Sequence, residues 1–363
     1  MLMVILTLLA GLVLLVVGGQ LLVRGASALA AVAGISPLVI GLTVVAFGTS
    51  APELAVSIQA GMSGNSDIAV GNVIGSNIFN ILVIIGICAI ILPLSVSVQL
   101  VRREVPLMIG ISLLLVALAL DGNIGMLDGL LLTIGIVSYV AWSVISSRRE
   151  TAEARAEYAQ EFGAEQLMPR ADPAHLALNA AYLVGGLVVL VIGARWLVDG
   201  SVSLARTLGE DDVIIGLTIV AAGTSMPEVA TSVIATIRKE RDIAIGNAIG
   251  SNIFNILCIL GISSLVTPGG LVVVPQVIAF DLPIMVAVAV ACLPIFFTGF
   301  SIVRWEGMLF FGSYIAYTIF LILAATGNPA LETFTNAMLL VLPLIAATLI
   351  WTGVQALRAQ RRS

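Results

Sequence analysis

The stretch GLTVVAFGTSAPELAVSIQAGMSGNSDIAVGNVIGSNIFNILVIIG, residues 41–86, decides the fold of this chain. It returns at residues 216–261 as GLTIVAAGTSMPEVATSVIATIRKERDIAIGNAIGSNIFNILCILG, and 29 of the 46 aligned positions are identical. A match of this length at a constant offset of 175 residues identifies an internal duplication. Each copy is mostly apolar, yet each carries one carboxylate within its apolar run, Glu53 in the first and Glu228 in the second.

Neutral oxygen-bearing side chains accompany both glutamates. They occupy matching positions in the two copies: Thr49, Ser50, Ser76 and Asn80 in the first, and Thr224, Ser225, Ser251 and Asn255 in the second. A charged residue at the centre of a bilayer costs about 2.5–3.5 kcal/mol, and protonation or a bound cation relieves that cost. Two carboxylates ringed by neutral oxygens on a duplicated apolar scaffold therefore predict a cation carrier.

The composition places that scaffold in a membrane. Hydrophobic residues make up 60% of the chain and charged residues only 10%, with a mean hydropathy of +1.14. A soluble domain carries about 25% charged residues. The sequence therefore predicts an all-α polytopic membrane protein whose surroundings are a lipid bilayer. The three cysteines all fall inside apolar runs, where they are expected to be small buried hydrophobic residues.

Several mechanisms are excluded by missing residues. The only lysine is Lys239, which is followed by Glu240, so the chain has no Walker A motif for ATP. The only histidine, His175, lies at the edge of a polar loop, so no span carries a Ser-His arrangement. We expect no enzyme activity, no cofactor, and no nucleotide or nucleic-acid partner. Protein partners are left open, and any transport is expected to be secondary.

Eleven membrane spans are predicted from apolar runs long enough to cross a bilayer, which takes about 20 residues. The first is expected to be a retained helix rather than a cleaved signal. Because each of the two repeats contains five spans, an odd number, they should insert in opposite directions, with one extra span after them. The predicted spans are 3–23, 36–61, 67–92, 104–120, 126–147, 174–198, 212–237, 242–266, 277–298, 307–325 and 332–356.

This pattern divides the chain into four segments and gives it an orientation. A short surface helix is expected in the connector, ending near Pro169. With the N-terminus outside, 14 of the 16 Lys and Arg residues lie on the inner side, as the positive-inside rule requires. The connector and the C-terminus are then cytoplasmic, in a plasma (inner) membrane. The segments are the first repeat 1–147, the connector 148–173, the inverted second repeat 174–325, and the extra helix with its basic C-terminus 326–363.

The repeated motif also predicts local structure. Pro52 lacks an N–H group and frees the carbonyl of Gly48, one turn before it. Asn72, Ser76 and Asn80 recur every fourth residue and share one helix face, whereas Asn77 and its mate Asn252 are expected to link helices. Structural roles are predicted for further residues of the repeats. Gly71 and Gly75 are expected to allow close helix packing, and Asp67, Asp242, Glu104 and Asp281 are expected to cap helix N-termini.

The paired GTSxPE and GNxIGSNIFNI blocks resemble the repeats of the cation/Ca²⁺ exchanger superfamily, in particular its prokaryotic sodium/calcium exchanger branch, which is similar to K⁺-dependent exchangers. The resemblance implies alternating access, with the first and sixth helices sliding over a core. It implies that Glu53 and Glu228 bind Ca²⁺ together with the backbone of Thr49 and Thr224. It further implies that Na⁺ sites are lined by Ala46, Ser50, Ser76, Ala221, Ser225 and Ser251, with Asn80 and Asn255 at the middle.

The function implied is exchange of Ca²⁺ for Na⁺, and a Ca²⁺/H⁺ antiporter on the same scaffold is the alternative. Ca²⁺ takes 6–8 oxygen ligands in irregular geometry, whereas Mg²⁺ retains its waters and suits this set of ligands less well. Several family members carry aspartate at the position of Asn80 or Asn255, so this site is less anionic and H⁺ becomes a credible counter-ion. A K⁺ requirement is left open. Two other functions are disfavoured. Nothing in the sequence resembles the pore loop of a passive channel, and no membrane span carries a base that could activate a serine for hydrolysis.

Overall fold

The computed structural model describes residues 2–162, 173–207, 221–297 and 299–360, and these form a bundle of helices. The first repeat comprises α1 and a broken pair, α2 and α3, followed by α4, α5 and α6. Their bounds are α1 Leu2–Ala33, α2 Pro37–Thr49, α3 Ala51–Met62, α4 Ser66–Ile91, α5 Val105–Ala119 and α6 Met126–Phe162.

The second repeat has the same order. It comprises α7, a short helix α8 followed by α9, and then α10, α11 and α12, after which α13 ends the described chain. Their bounds are α7 Pro173–Thr207, α8 Ala221–Gly223, α9 Met226–Ile237, α10 Arg241–Val266, α11 Val277–Phe297, α12 Arg304–Ala325 and α13 Ala330–Gln360.

Seven of the described helices are long and apolar enough to cross a membrane, and the bent pair α2 and α3 makes an eighth when it is counted as one span. This confirms the all-α polytopic membrane fold, and the count of eleven spans stays a prediction. Residues 212–220 of the predicted span 212–237 lie outside the described residues. The start of the predicted connector continues α6 as far as Phe162 and does not form a separate surface helix. The predicted end of that surface helix, near Pro169, lies outside the described residues.

The two copies of the motif form the centre of the bundle. In α4 and α10, 78% and 83% of the residues in the most apolar window are buried, compared with 6% in α12 and 22% in α1. The peripheral helices instead expose leucine, valine and isoleucine, as helices in contact with lipid do. The GNxIGSNIFNI sequence is therefore the core of the fold, and the other helices surround it.

Breaks in the helices occur at matching places in the two repeats. The chain bends by 45° between α2 and α3. Ser50 lies at this break with φ −82° and ψ 5°, and Ser225 precedes α9 with φ −87° and ψ 8°. Asn80 and Asn255 each begin a π-helical turn, Asn80–Ile85 in α4 and Asn255–Leu260 in α10. Single π-helical turns within α-helices are frequent at functional sites.

Two small antiparallel sheets, absent from the sequence-based prediction, join the repeats. Strand β1 (Leu94–Ser95) pairs with β4 (Ser301–Ile302), and β2 (Asn123–Ile124) pairs with β3 (Leu271–Val272). Each sheet takes one strand from a loop of the first repeat and one from a loop of the second. Strands of two residues have no detectable periodicity, which is why the sequence did not reveal them.

The capping roles predicted for four acidic residues are wrong. Asp67 and Asp242 lie one residue inside the first turns of α4 and α10, whose N-cap positions are held by other residues. Glu104 and Asp281 end π-helical turns that continue directly into helix, so no helix start is available to cap. The carboxylates of Glu104 and Asp281 instead accept hydrogen bonds from tyrosines on neighbouring helices.

Those contacts link helices within each repeat. Tyr139 Oη on α6 donates to Glu104 Oε2 at 2.9 Å, and Tyr317 Oη on α12 donates to Asp281 Oδ1 at 3.1 Å. The duplication therefore extends to a carboxylate–tyrosine pair between the fourth and fifth helices of each repeat. Tyrosine and carboxylate are far apart in the sequence, so their pairing emerges only in the folded chain.

Helices α1 and α7 are packed backbone to backbone by glycines spaced seven residues apart. These are Gly11, Gly18 and Gly25 on α1, and Gly186, Gly193 and Gly200 on α7. A Cβ atom on Gly18 would lie 2.7 Å from the backbone nitrogen of Leu190, and one on Gly186 would lie 2.5 Å from that of Leu22. The two helices are therefore in direct backbone contact at several levels along their length.

The close packing predicted for Gly71 and Gly75 is seen at the matching glycines of the second repeat. A Cβ atom on Gly246 or Gly250 of α10 would lie 2.8 or 2.6 Å from a backbone carbonyl oxygen of α2. For Gly71 and Gly75 no described atom lies within 4 Å of such a Cβ, and the matching contact segment falls within residues 208–220, outside the described chain. Their packing role stays a prediction.

Replacing Gly186 with alanine is expected to lower the stability of the folded protein by about 1–3 kcal/mol, the usual cost of overpacking. The added methyl group would force α7 away from the backbone of α1. Gly185→Ala is the matched control, because no described atom lies within 4 Å of its Cβ and alanine favours helix over glycine by about 1 kcal/mol. Thermal unfolding of the detergent-solubilised variants measures both, and equal midpoints would contradict the close contact.

Candidate cation site

The two glutamates lie at matching places just after the helix breaks. Glu53 is in the first turn of α3 and Glu228 in the first turn of α9, each one residue after a proline. Their exposed fractions are 0% and 1%. A carboxylate in the first turn is stabilised by the positive end of the helix dipole. The sequence forms this arrangement because proline starts a helix readily and lacks only an N–H that would have no partner there.

Hydrogen bonds cross between the repeats at this point. Ser225 Oγ, which precedes α9, donates to Glu53 Oε1 at 3.0 Å. Ser50 Oγ, at the break before α3, donates to Glu228 Oε1 at 3.1 Å. Each serine therefore bonds the glutamate of the other repeat. The exchange brings both carboxylates to one buried centre.

Four buried oxygens at this centre have no hydrogen-bond donor among the described residues. They are Oε2 of Glu53, Oε2 of Glu228, Oδ1 of Asn80 and Oδ1 of Asn255. The amide oxygens carry no hydrogen and can only accept, and so can the carboxylate oxygens whenever the glutamates are ionised. Leaving one buried acceptor unsatisfied costs about 1–3 kcal/mol. A bound cation would satisfy these buried acceptors and so explains why they occur together.

The amide groups of Asn80 and Asn255 are oriented by two further asparagines. Asn80 Nδ2 donates to Asn252 Oδ1 at 3.0 Å, and Asn255 Nδ2 donates to Asn77 Oδ1 at 2.9 Å. Because the NH₂ groups are engaged in these bonds, the Oδ1 atoms are left as the free acceptors. Asn77 and Asn252 also donate to each other's backbone carbonyls at 3.4 and 3.3 Å, which confirms that they link helices.

A second pair of asparagines, Asn72 and Asn247, supports the glutamates from behind. Asn72 Nδ2 donates to the backbone oxygen of Glu53 at 3.3 Å, and Asn247 Nδ2 donates to that of Glu228 at 3.4 Å. Asn72 Oδ1 accepts from Thr224 Oγ1 at 3.4 Å, and Asn247 Oδ1 accepts from Thr49 Oγ1 at 3.1 Å.

The sequence placed Asn72 on the face of Ser76 and Asn80 but gave neither asparagine a role. The available signal was their recurrence in both copies, four residues before the serine of the motif. That spacing shows a shared face, but it does not show that the same amide reaches a glutamate backbone and a threonine of the other repeat. Each asparagine therefore links the two halves of the site.

Most of the remaining predicted residues join the same cluster. Ser76 Oγ lies 3.0 Å from Ser225 Oγ, and Asn255 Nδ2 donates to Ser76 Oγ at 3.1 Å. Ser251 is fully buried with no donor or acceptor bonded to its hydroxyl among the described residues. Ala46 is fully buried against Gly250, next to Ser251.

Two predicted residues are less completely placed. Thr224 is only half-buried, whereas its mate Thr49 is fully buried. Ala221 begins α8, and its side chain is outside the described part of the structure. The site is therefore enclosed on the side of Thr49 and more open on the side of Thr224.

The donor set determines which ions suit the site. No group of three or more His, Cys, Asp or Glu side chains comes together in the described ranges. An ion here would be held by two carboxylates and neutral oxygens alone. Oxygen-only ligands favour hard cations such as Ca²⁺ or Na⁺ over transition metals, which prefer nitrogen or sulfur.

Comparison with known proteins gives a consistent result. The family described as sodium/calcium exchanger protein matches residues 3–145 and 178–323. The chain is 40% identical to the putative antiporter CaxA of Alkalimonas amylolytica over 72% of its length and 80% of that protein. It is 34% identical to the sodium/calcium exchanger MaX1 of Methanosarcina acetivorans over 87% of its length and 97% of that protein.

A solved structure shares the fold. The sodium-calcium exchanger NCX_Mj soaked with 10 mM Na⁺ and zero Ca²⁺ superposes with a TM-score of 0.73 and 29% sequence identity. The match covers 87% of this chain and 98% of that one.

Asn252→Leu is expected to weaken Ca²⁺ binding by about 10–100-fold, the usual effect of removing a group that orients a metal ligand. The substitution removes the acceptor that fixes the amide of Asn80. Met108→Leu is the control, because it removes only the sulfur contact to Asn252 Nδ2 at 3.6 Å. Isothermal titration calorimetry measures the affinity, and thermal unfolding checks that both variants fold. Unchanged affinity in a folded Asn252→Leu protein would contradict the orienting role.

Proposed function

This chain belongs to the sodium/calcium exchanger protein family and is a cation/Ca²⁺ antiporter, and we propose that Na⁺ is its counter-ion and that Glu53 and Glu228 bind both ions. The observation that carries the proposal is the group of four donor-free acceptor oxygens where the repeats meet. Two are carboxylate oxygens and two are amide oxygens, and both types are ligands of Ca²⁺ in proteins.

The helix breaks supply the remaining ligands. Helix α2 ends at Thr49, so the carbonyl of Thr49 has no N–H partner one turn further along that helix. In secondary transporters such carbonyl ends coordinate cations near the middle of the membrane. We infer that the backbone oxygens of Thr49 and Thr224 join the two glutamates in binding Ca²⁺. The hydroxyls of Ser50, Ser76, Ser225 and Ser251, beside Ala46 and Ala221, suit the smaller charge of Na⁺.

Alternating access is supported by the unequal burial of matching residues. Thr49 and Asn247 are fully buried, whereas Thr224 and Asn72 are half-buried. In an inverted repeat, exchanging the conformations of the two halves would open the ion site to the opposite side of the membrane. The joined pair of α1 and α7, which packs on the outside of the core, is the unit that we propose moves in that exchange.

Two ions, Na⁺ and H⁺, are candidates for the counter-ion. Na⁺ is supported by the names of MaX1 and NCX_Mj, and H⁺ is favoured by one feature of this chain. Amides at positions 80 and 255 leave only two carboxylates in the cluster, and both can carry protons. Ca²⁺/H⁺ exchange is therefore the second candidate, and K⁺ involvement is tested alongside it.

Purified protein in liposomes is expected to take up radioactive Ca²⁺ when an outward Na⁺ gradient is imposed at equal pH on both sides. An outward H⁺ gradient without Na⁺ should give no uptake, and adding K⁺ shows whether that ion is required. Uptake with H⁺ alone would replace Na⁺ by H⁺ as the coupling ion. No uptake under any gradient would contradict the antiporter function itself.

Glu53→Gln is expected to reduce gradient-driven Ca²⁺ flux by more than about 100-fold, since even groups behind the ligands cost about 10–100-fold. The change preserves shape and removes the charge that attracts the cation. Asp67→Asn is the matched control, because Asp67 is exposed in the first turn of α4, away from the cluster. Full flux in Glu53→Gln liposomes would show that the carboxylate is not an ion ligand.

A further inference from the structure

A cavity of about 760 Å³ lies between α11, α12 and α13, on the side of the bundle formed by the extra helix. Its walls are formed almost entirely by aliphatic and aromatic side chains, including Phe280 and Phe320, whose rings stack at 4.6 Å. The cavity opens onto the surface of the bundle, where the wall residues Leu339 and Val341 are 65% and 40% exposed. A space of this size is within the range of ligand pockets, which is about 300–1,000 Å³.

The few polar side chains in the wall are already engaged. Ser313 Oγ donates to the backbone oxygen of Leu309 at 2.8 Å, and Thr335 Oγ1 donates to that of Leu331 at 2.8 Å. The third, Tyr317, donates its hydroxyl to Asp281 at 3.1 Å. No unsatisfied side-chain donor or acceptor of these residues faces the cavity. Water needs 2–4 polar partners, so the cavity suits an apolar occupant.

The length of the cavity matches one leaflet of a bilayer. Along α13 the wall runs from Phe334 to Ile345, and along α11 from Phe280 to Ala291. Each stretch is eleven residue steps, or about 16 Å at 1.5 Å per residue of helix. The hydrocarbon core of a bilayer is about 30 Å thick, so one leaflet contributes about 15 Å. Both stretches begin within the first two turns of their helices, near one surface of the membrane.

We propose that this cavity binds an acyl chain of a membrane phospholipid, which fills the space between the extra helix and the second repeat. The occupant is available because the same helices contact lipid on their other faces, and only 6% of the most apolar window of α12 is buried. The inner wall includes Leu82, which lies in the π-helical turn that begins with Asn80. A bound chain therefore packs against the turn that positions a residue of the cation site.

The test uses phosphatidylethanolamine with a photoactivatable diazirine on one acyl chain, incorporated into liposomes with the purified full chain. The protein is then exchanged into detergent, which removes loosely held lipid, and is irradiated, digested and mapped by mass spectrometry. Labels are expected on wall residues such as Phe310, which is only 3% exposed, and Met338. They should be lost from Leu127, which is 81% exposed on the outer surface of the bundle.

Gly312→Phe is expected to remove most of the label from the wall. Gly312 lines the cavity, and no described atom lies within 4 Å of a Cβ at this position, so a ring can enter the space without a clash. Gly110→Phe on α5 is the matched control, because it also adds a ring at an open glycine and leaves the cavity unchanged. Ala316→Phe, in the same wall, serves if the first variant unfolds.

Three results would overturn the proposal. The wall could label no more than Leu127 after detergent exchange, Gly312→Phe and Ala316→Phe could both retain the label, or a water-soluble diazirine could label the wall in place of the lipid. The labelling needs neither Ca²⁺ nor an ion gradient. Its outcome is therefore independent of whether the transport proposal holds.

Discussion

Two buried carboxylates are brought to one centre inside a membrane-embedded bundle, and the surrounding structure follows from that constraint. Like charges repel strongly at low dielectric, and an isolated buried charge is costly. The chain meets this cost with a hydroxyl from the opposite repeat and with the positive end of a short helix for each of Glu53 and Glu228. It then leaves one oxygen of each carboxylate without a donor. Only both repeats together complete the arrangement, so the site and the fold depend on the same contacts.

Much of this arrangement could be predicted from the sequence because the residues that form it recur at matching positions in both copies of the duplication. The loosened turn before Pro52, the buried glutamates, and the linking role of Asn77 and Asn252 all followed from matching residues and helical spacing. These features are local, since each depends on residues within one or two turns. A repeated proline and a repeated asparagine face are sufficient to indicate them.

Other features depend on contacts that spacing does not contain. Helical periodicity placed Asn72 on the correct face but could not show that its amide joins Glu53 to Thr224, 152 residues away from it along the chain. The acids at 104 and 281 looked like helix caps because prolines follow them, yet π-helical turns carry the helix through both positions. Their partners are tyrosines on neighbouring helices, which no local signal identifies.

The glycines that join α1 and α7 obey the same offset of 175 residues as the central motif, since Gly11, Gly18 and Gly25 match Gly186, Gly193 and Gly200. The contact of Gly11 with the backbone at Gly193 is mirrored by that of Gly186 with the backbone at Gly18. This reciprocity is the property of an interface between two identical chains related by a two-fold axis. A half-length ancestor that inserted into the membrane in both orientations would have formed this interface, and the crossed serine–glutamate bonds with it, before its gene was duplicated.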